Sequence, residues 1–221
     1  MPEILTSAQM RAIEAAAIAE GSVTGLELME RAGAGAAAAI QAEWPEARDA
    51  LILCGPGNNG GDGYVVARLL AARGWRVAIC ATRTADRLPP DAQANAQRCA
   101  ALPILGWSAE NLQDRLTVAD GPLVVIDALL GIGQTTDCSD LLAPWNTAND
   151  HFANLGHLAP HTVSLDVPTG YESDSGALRA KAPFEPELVV TFHAEKPVHQ
   201  MLRNQGVKVV VVDIGLGGES A

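Results

Sequence analysis

Gly55-Pro56-Gly57-Asn58-Asn59-Gly60-Gly61-Asp62-Gly63 follows the apolar run Ala50-Leu51-Ile52-Leu53-Cys54 and precedes apolar residues at helical spacing, Val65, Val66, Leu69 and Leu70. Strand, glycine-rich turn, then helix is how an open α/β sheet offers backbone N–H groups to an anionic ligand. The first six residues match G-x-G-x-x-G literally, and glycines there let the chain turn sharply and approach a diphosphate. A dinucleotide fingerprint also wants an acidic residue about 20 positions further on. Residues 75–83 contain none, although Arg83 could instead meet a 2′-phosphate. Asp62 is expected in the first helical turn, where it competes with a phosphate for the same N–H groups, or acts as a helix cap. Asn58 and Asn59 amid five glycines offer more hydrogen bonding than a turn requires. No G-x-x-x-x-G-K-[ST] occurs, which excludes a P-loop nucleotidase.

On either side of this stretch the chain alternates between short apolar runs and helical patterns. Thr6 with Gln9 reads as a capping box opening a helix to about Glu20, with Ile13, Ala16 and Ala17 on one face. Leu26 to Trp44 reads as a second helix whose Ala32-Gly33-Ala34-Gly35-Ala36 implies close packing. Strands are expected at Ala50–Cys54, Trp75–Ala81, Leu123–Ile126, Thr162–Leu165, Leu188–Thr191 and Val207–Val212, with helices at Asp62–Arg73 and Pro90–Ala101. The strand runs are continuously apolar, as expected when both faces of a parallel sheet are covered. The predicted fold class is therefore α/β: a Rossmann-like, three-layer αβα sandwich with a mostly parallel sheet. No repeat or linker divides the 221 residues, so residues 1–221 are read as a single domain.

Composition narrows the function. The net charge of −11 would repel a nucleic-acid backbone, so any phosphate must be held by local donors. No basic region followed by an apolar run opens the chain, and no segment reaches the ~20 apolar residues of a membrane span. A cytoplasmic protein with neither nucleic-acid nor membrane partners is expected. Cys54, Cys80, Cys99 and Cys138 are widely spaced and read as reduced thiols.

Three more polar clusters follow apolar strands: Asp127-Ala128-Leu129-Leu130-Gly131-Ile132-Gly133, Asp166-Val167-Pro168-Thr169-Gly170 and Phe192-His193-Ala194-Glu195-Lys196-Pro197. In a parallel sheet all carboxyl ends share one edge, so Asn59, Asp62, Asp127, Asp166, Thr169 and Lys196 can meet there. Each alone has a plainer explanation as a cap, a turn or a solvated side chain; four such loops on one edge argue for a site. The Asn, Asp and Thr oxygens suit an alkali or alkaline-earth cation, not zinc or iron. The His157–His161 spacing lies in a loop entering a strand and is read as no metal site.

The glycine-rich stretch, Asp127-Ala128-Leu129-Leu130-Gly131 and Asp166-Val167-Pro168-Thr169-Gly170 together resemble the YjeF N-terminal domain family of NAD(P)H-hydrate epimerases. The likeness runs from the opening helices to Val212-Asp213-Ile214-Gly215. It implies interconversion of the R and S epimers of hydrated NADH and NADPH, with a potassium ion as cofactor. By matching position, Asn58, Asn59, Gly60, Gly61 and Asp62 would bind substrate, as would Gly131, Ile132, Gly133, Gln134, Thr135, Thr136, Asp137 and Asp166. Asn59, Asp127 and Thr169 would bind potassium; Thr169 stands where the family usually has serine and keeps the hydroxyl. The loop from Gly131 to Asp137 lacks the Gly-Thr-Gly and nearby arginine common in relatives. A homodimer is expected, with a fused or separate ADP/ATP-dependent dehydratase as partner; a chain ending at Ala221 would be a free-standing epimerase or the N-terminal half of a bifunctional enzyme.

Inverting a carbon that bears a hydroxyl beside a ring nitrogen needs a proton donor and acceptor near that oxygen. Asp166 is the expected general acid/base and Lys196 the alternative. Two rival functions fit the same residues, a non-catalytic nucleotide- or protein-binding scaffold of the same fold and an NAD(P)-dependent dehydrogenase, the latter weakened by the missing ribose acid.

Overall fold

A computed structural model of the chain describes residues 3–118, 121–154 and 159–217. Seven parallel strands form one sheet: β1 (Asp49–Cys54), β2 (Arg76–Ala81), β3 (Ile104–Gly106), β4 (Leu123–Ala128), β5 (His161–Leu165), β6 (Leu188–Phe192) and β7 (Lys208–Val212). Their spatial order is β3-β2-β1-β4-β5-β6-β7. The chain thus builds outward from β1 to one edge, returns, and builds outward from β4 to the other. The reversal lies between β1 and β4, and a crevice opens at the strand carboxyl ends at such a point. The pairing Cys54↔Ala128 brings the two strand ends level there.

Every residue of β1 and β4 is buried, as the continuous apolar runs require. Successive side chains point to opposite faces. Ile52, Cys54, Val124 and Ile126 join the core under α2 (Gly25–Glu43), α3 (Asn58–Ala72) and α4 (Pro90–Arg98). Leu51, Leu53, Leu123 and Val125 pack on the other face with Leu112 and Leu116 of α5 (Ala109–Thr117) and Leu142, Trp145 and Ala148 of α6 (Ser139–Asn154). Each fully buried Leu, Ile or Val contributes roughly 1.5–3 kcal/mol relative to exposure, so both layers are held by the same strands. Val198 and Leu202 of α7 (Pro197–Asn204) cover Val189 of β6 and Val209 of β7.

The first helix, α1 (Ser7–Ala19), starts at the expected capping box between Thr6 and Gln9. Its contact face differs from the expected one: Ser7 and Met10 are buried, Ile13 and Ala17 half-buried and Ala16 exposed. The small residues of α2 do serve close packing, since a methyl group on Gly33 would stand 2.4 Å from Val65 Cγ1. The helix after β1 starts four residues earlier than the apolar spacing suggests. Gly57 is its N-cap and provides no side-chain cap, Asn58 is its first residue, and Asp62 lies past the first turn. Asp62 is therefore neither the cap nor a first-turn residue. β3, α5, α6 and α7 have no counterpart in the sequence reading.

His157 of the His157–His161 spacing lies outside the described residues. His161 stacks on Trp44 with ring centroids 4.8 Å apart, and its Nδ1 lies 3.0 Å from Glu187 Oε2. The four cysteines are free and buried. Among the described residues no helix is long and apolar enough to cross a membrane.

Candidate active site

A cavity of about 620 Å³ opens at the carboxyl ends of β1, β4, β5 and β6, a volume typical of small-molecule sites. Pro56 to Asn59 and Asp62 line it from β1 and α3, Leu129 to Gly133 from β4, Asp166 from β5, and Phe192 and Lys196 from β6. The four polar clusters therefore do converge.

Asp166 is held under tension. It follows β5 with φ of 61°, in the left-handed region that non-glycine residues seldom occupy. Five contacts keep it there. Its N–H donates to Val190 O (2.8 Å), and its Oδ2 accepts from Ile132 N (3.2 Å). Its Oδ1 accepts from Thr191 Oγ1 (3.2 Å) and lies 2.7 Å from Lys196 Nζ. Its carbonyl faces His199 Nε2 at 2.8 Å. Burial alone would raise its pKa, yet the adjacent Lys196 ammonium carries the net shift below the usual aspartate value. The carboxylate is thus ionised and aimed into the cavity.

Lys196 is not a solvated side chain: it is 1% exposed. Its ammonium donates to Thr191 Oγ1 (2.8 Å) and Phe192 O (3.2 Å) and pairs with Asp166. These three acceptors use all three of its N–H groups. His199, fully buried on α7, takes the Lys196 backbone N–H on Nδ1 at 2.9 Å, so the proton it points at Asp166 O sits on Nε2. Burial holds its pKa down to about 4, and the ring is neutral at pH 7.

Two further carboxyls share the cavity. Burial pushes the Asp62 pKa well up, and Asp166 and Glu14 add to the shift; Glu14, on α1, is raised by burial and by Asp166. An ionised Asp166 thus lies beside two acids whose ionisation the site opposes, an arrangement suited to proton transfer.

The candidate cation ligands lie at and beneath the cavity floor. Asp127 is fully buried. Its Oδ1 accepts from Thr169 Oγ1 (2.7 Å) and Leu129 N (3.1 Å), its Oδ2 from Thr169 N (2.8 Å) and Ser164 Oγ (2.9 Å). Burial raises its pKa, and those hydrogen bonds oppose the rise. Thr169 Oγ1 also accepts from Leu130 N at 3.1 Å, which leaves it one lone pair. Asn59 carries the sharper signal, because both its amide oxygen and its amide nitrogen are buried without a partner. Unsatisfied buried polar atoms are costly and point to a missing ligand. A methyl group placed on Gly131 would lie 2.9 Å from Asp166 Oδ2 and 3.5 Å from Asn59 Cγ, so these three positions adjoin.

Several expected substrate contacts are placed elsewhere. Gly60 and Gly61 do not line the cavity. A Cβ on Gly60 would stand 2.3 Å from Gly55 O, and one on Gly61 2.5 Å from Met29 Sδ. Glycine is required there by the chain's own packing, before any ligand is considered. Gln134, Thr135, Thr136 and Asp137 also lie off the cavity lining. Gln134 is buried and ties two loops together: Nε2 donates to Gly131 O and Pro168 O (both 3.2 Å), and Oε1 accepts from Gly170 N (2.6 Å). Thr135 and Thr136 are exposed, and Asp137 accepts from Ser139 N at the start of α6. Conversely, Met10, Arg11 and Glu14 of α1 line the cavity, and no spacing in the sequence indicated it. Thr191 and His199 were missed as well; the nearness of His199 to Lys196, three residues on, was the only available signal.

Comparison with known proteins agrees with this geometry. Residues 25–198 match the family model described as YjeF-related protein N-terminus. A protein of Cereibacter sphaeroides named NAD(P)H-hydrate epimerase is 50% identical over 220 residues, covering 94% of this chain and 99% of its own length. One of the same name from Rhodobacter capsulatus is 45% identical, covering 98% and 100%. A bifunctional NAD(P)H-hydrate repair enzyme of Salinibacter ruber is 40% identical over 80% of this chain, which spans 34% of that longer protein. The crystal structure of a yeast protein superposes with a TM-score of 0.78 at 22% identity, covering 95% of this chain and 87% of that one. The chain belongs to the family of YjeF-related protein N-termini.

Proposed function

We propose that this protein is a metabolite-repair isomerase that interconverts the R and S epimers of hydrated NADH and NADPH. The observation that carries the reading is Asp166: an ionised carboxylate, strained into the cavity and locked by Lys196, Thr191, Ile132 and His199. The relatives that match nearly end to end bear the epimerase name.

The hydrated carbon lies next to the ring nitrogen. Its configuration is lost when the C–O or ring C–N bond breaks and the nitrogen or oxygen lone pair stabilises the cation that forms; re-forming that bond on the other face inverts it. Each route moves one proton to and from a heteroatom. Asp166 is suited to take and return it, since one lone pair of Oδ2 remains open to the cavity. Lys196 has no N–H left for substrate and acts by keeping Asp166 ionised. Asp62 and Glu14 hold protons more tightly and can donate to a leaving oxygen. Asn58, Asn59 and Gly131 to Gly133 would place the substrate along the cavity.

The donor set suits potassium. Asn59 would contribute its unpartnered amide oxygen and Thr169 its remaining lone pair, while Asp127, whose oxygens already accept four hydrogen bonds, would release one of them to ligate. Bound there, the cation would neutralise a buried charge and fix Asn59 against Gly131. The reading also includes a homodimer in the cytoplasm working with an ADP/ATP-dependent dehydratase, a partnership for which the bifunctional relatives speak.

Incubation with a mixture of hydrate epimers displaced from equilibrium separates the three readings. An epimerase restores the equilibrium ratio, a scaffold leaves the spontaneous rate unchanged, and a dehydrogenase alters the nicotinamide redox state instead.

A further inference from the structure

The proposed substrate carries a diphosphate and, in one form, a further phosphate, and the cavity presents three carboxyl groups. Asp62, Asp166 and Glu14 all face it, in a chain of net charge −11. An anion needs a local cation to enter such a place. Among the described residues lining the cavity only Arg11 and Lys196 are cationic. Lys196 is buried and committed to Asp166, Thr191 and the Phe192 carbonyl.

Arg11 differs on each count. It is exposed at the cavity mouth, and among the described residues no carboxylate lies within ion-pair distance of its guanidinium. Its one hydrogen bond there goes to a neutral acceptor, Nη2 to Ile132 O at 3.1 Å. That bond sets the guanidinium over the Ile132–Gly133 backbone, leaving its other N–H groups for a ligand. The helix that carries it is fixed at its start. Ser7 N–H donates to Asp174 Oδ1 at 2.8 Å, and Leu5 N–H to Glu195 O at 2.8 Å. Arg11 is thus presented by an anchored helix, and that helix precedes residues 25–198, where the family match lies.

We propose that Arg11 recognises a phosphate of the dinucleotide substrate, which makes α1 part of the binding site and Arg11 a determinant of affinity. A planar guanidinium suits phosphate oxygens because two parallel N–H donors can meet them. The proposal rests on the epimerase reading, and the test keeps the two apart. Binding of ADP-ribose and of its 2′-phosphate to wild type and Arg11→Gln is measured by calorimetry, independently of turnover. Arg11→Gln is expected to weaken binding about tenfold, an exposed charge-assisted hydrogen bond being modest, with a shallower dependence on salt. Equal losses for both ligands assign Arg11 to the diphosphate; a loss confined to the second assigns it to the 2′-phosphate. In the epimerisation assay KM should rise with kcat unchanged. For the hydrate of dihydronicotinamide riboside, which has no phosphate, wild type and variant should coincide, and Arg11→Lys should fall between them on hydrated NADH. Unchanged affinity for both ADP-ribose ligands overturns the proposal. So does a variant that melts earlier and handles the phosphate-free hydrate equally badly, because Arg11 would then only tether α1. A wild type that binds ADP-ribose through Arg11 but epimerises nothing keeps this inference and sinks the functional one.

Discussion

At the scale of single residues the chemistry depends on Asp166 being charged and correctly aimed. Asp166→Asn keeps the size and most of the hydrogen bonds but cannot accept a proton, a role worth roughly 10²–10⁴-fold in rate. Epimerisation above the spontaneous background should fall by that order, with hydrate affinity changed far less. Near-normal turnover in Asp166→Asn together with loss in Lys196→Met would reverse their roles. His199 makes a second prediction. Its pKa is about 4 in the fold against an ordinary 6.5, so the unfolded chain takes up the proton first as pH falls. Stability is full above about pH 6.5 and declines toward pH 4, by about 3 kcal/mol from this residue. The lowered pKa of Asp166 acts in the same sense, below the 3.8 of an ordinary aspartate. Urea midpoints measured from pH 7 to 4 should drop more steeply for wild type than for His199→Gln, whose amide can still donate to Asp166 O; parallel curves would mean that His199 titrates as it does in water. Asp166 was legible in the sequence because a buried strand delivers it. His199 and Thr191 were not, because a buried His or Thr near a strand end looks the same whether it supports a carboxylate or fills a core.

At the scale of elements, the glycine-rich stretch borders the cavity, and its Gly60 and Gly61 are required by the protein's own packing. Gly60 and Gly61 lie in α3, pressed against Gly55 O and Met29. A side chain at either position collides with the protein before it meets any ligand. Gly60→Val should therefore lose stability by at least the roughly 1–3 kcal/mol of an overpacked core, read as a lower melting temperature. A variant that melts like wild type and fails only in binding would restore the ligand-approach reading. Helical periodicity begins at Val65, which is why the helix seemed to start at Asp62: asparagines and glycines carry no apolar signal for its first turn. The proposed cation site would draw Asp127 from the end of β4, Thr169 from the loop after β5 and Asn59 from α3. Potassium should raise the melting temperature relative to an equal concentration of tetramethylammonium, and Asn59→Ala should remove the difference. Potassium-independent melting and affinity in wild type would refute that site.

For the whole molecule, the parallel sheet followed from the apolar runs, since strands covered on both faces have no polar alternation to show. What stayed hidden were the elements whose patterns are weak or broken. β3 is three residues at the sheet edge with none fully buried, and α6 contains Pro144. The position of α1 was equally unreadable, because its place over the cavity is set by Ser7 and Leu5 bonding to segments more than 160 residues away. The sheet order puts the reversal between β1 and β4, and the cavity lies at their carboxyl ends, so fold and site are one fact seen at two scales. The most direct measurement starts from each purified epimer of hydrated NADH separately and follows the ratio over time, with the spontaneous rate subtracted. Epimerisation at this cavity predicts two progress curves that converge on one ratio, at a rate proportional to protein concentration and collapsing in Asp166→Asn. Saturable binding of the hydrate with both curves left at the spontaneous rate would contradict it.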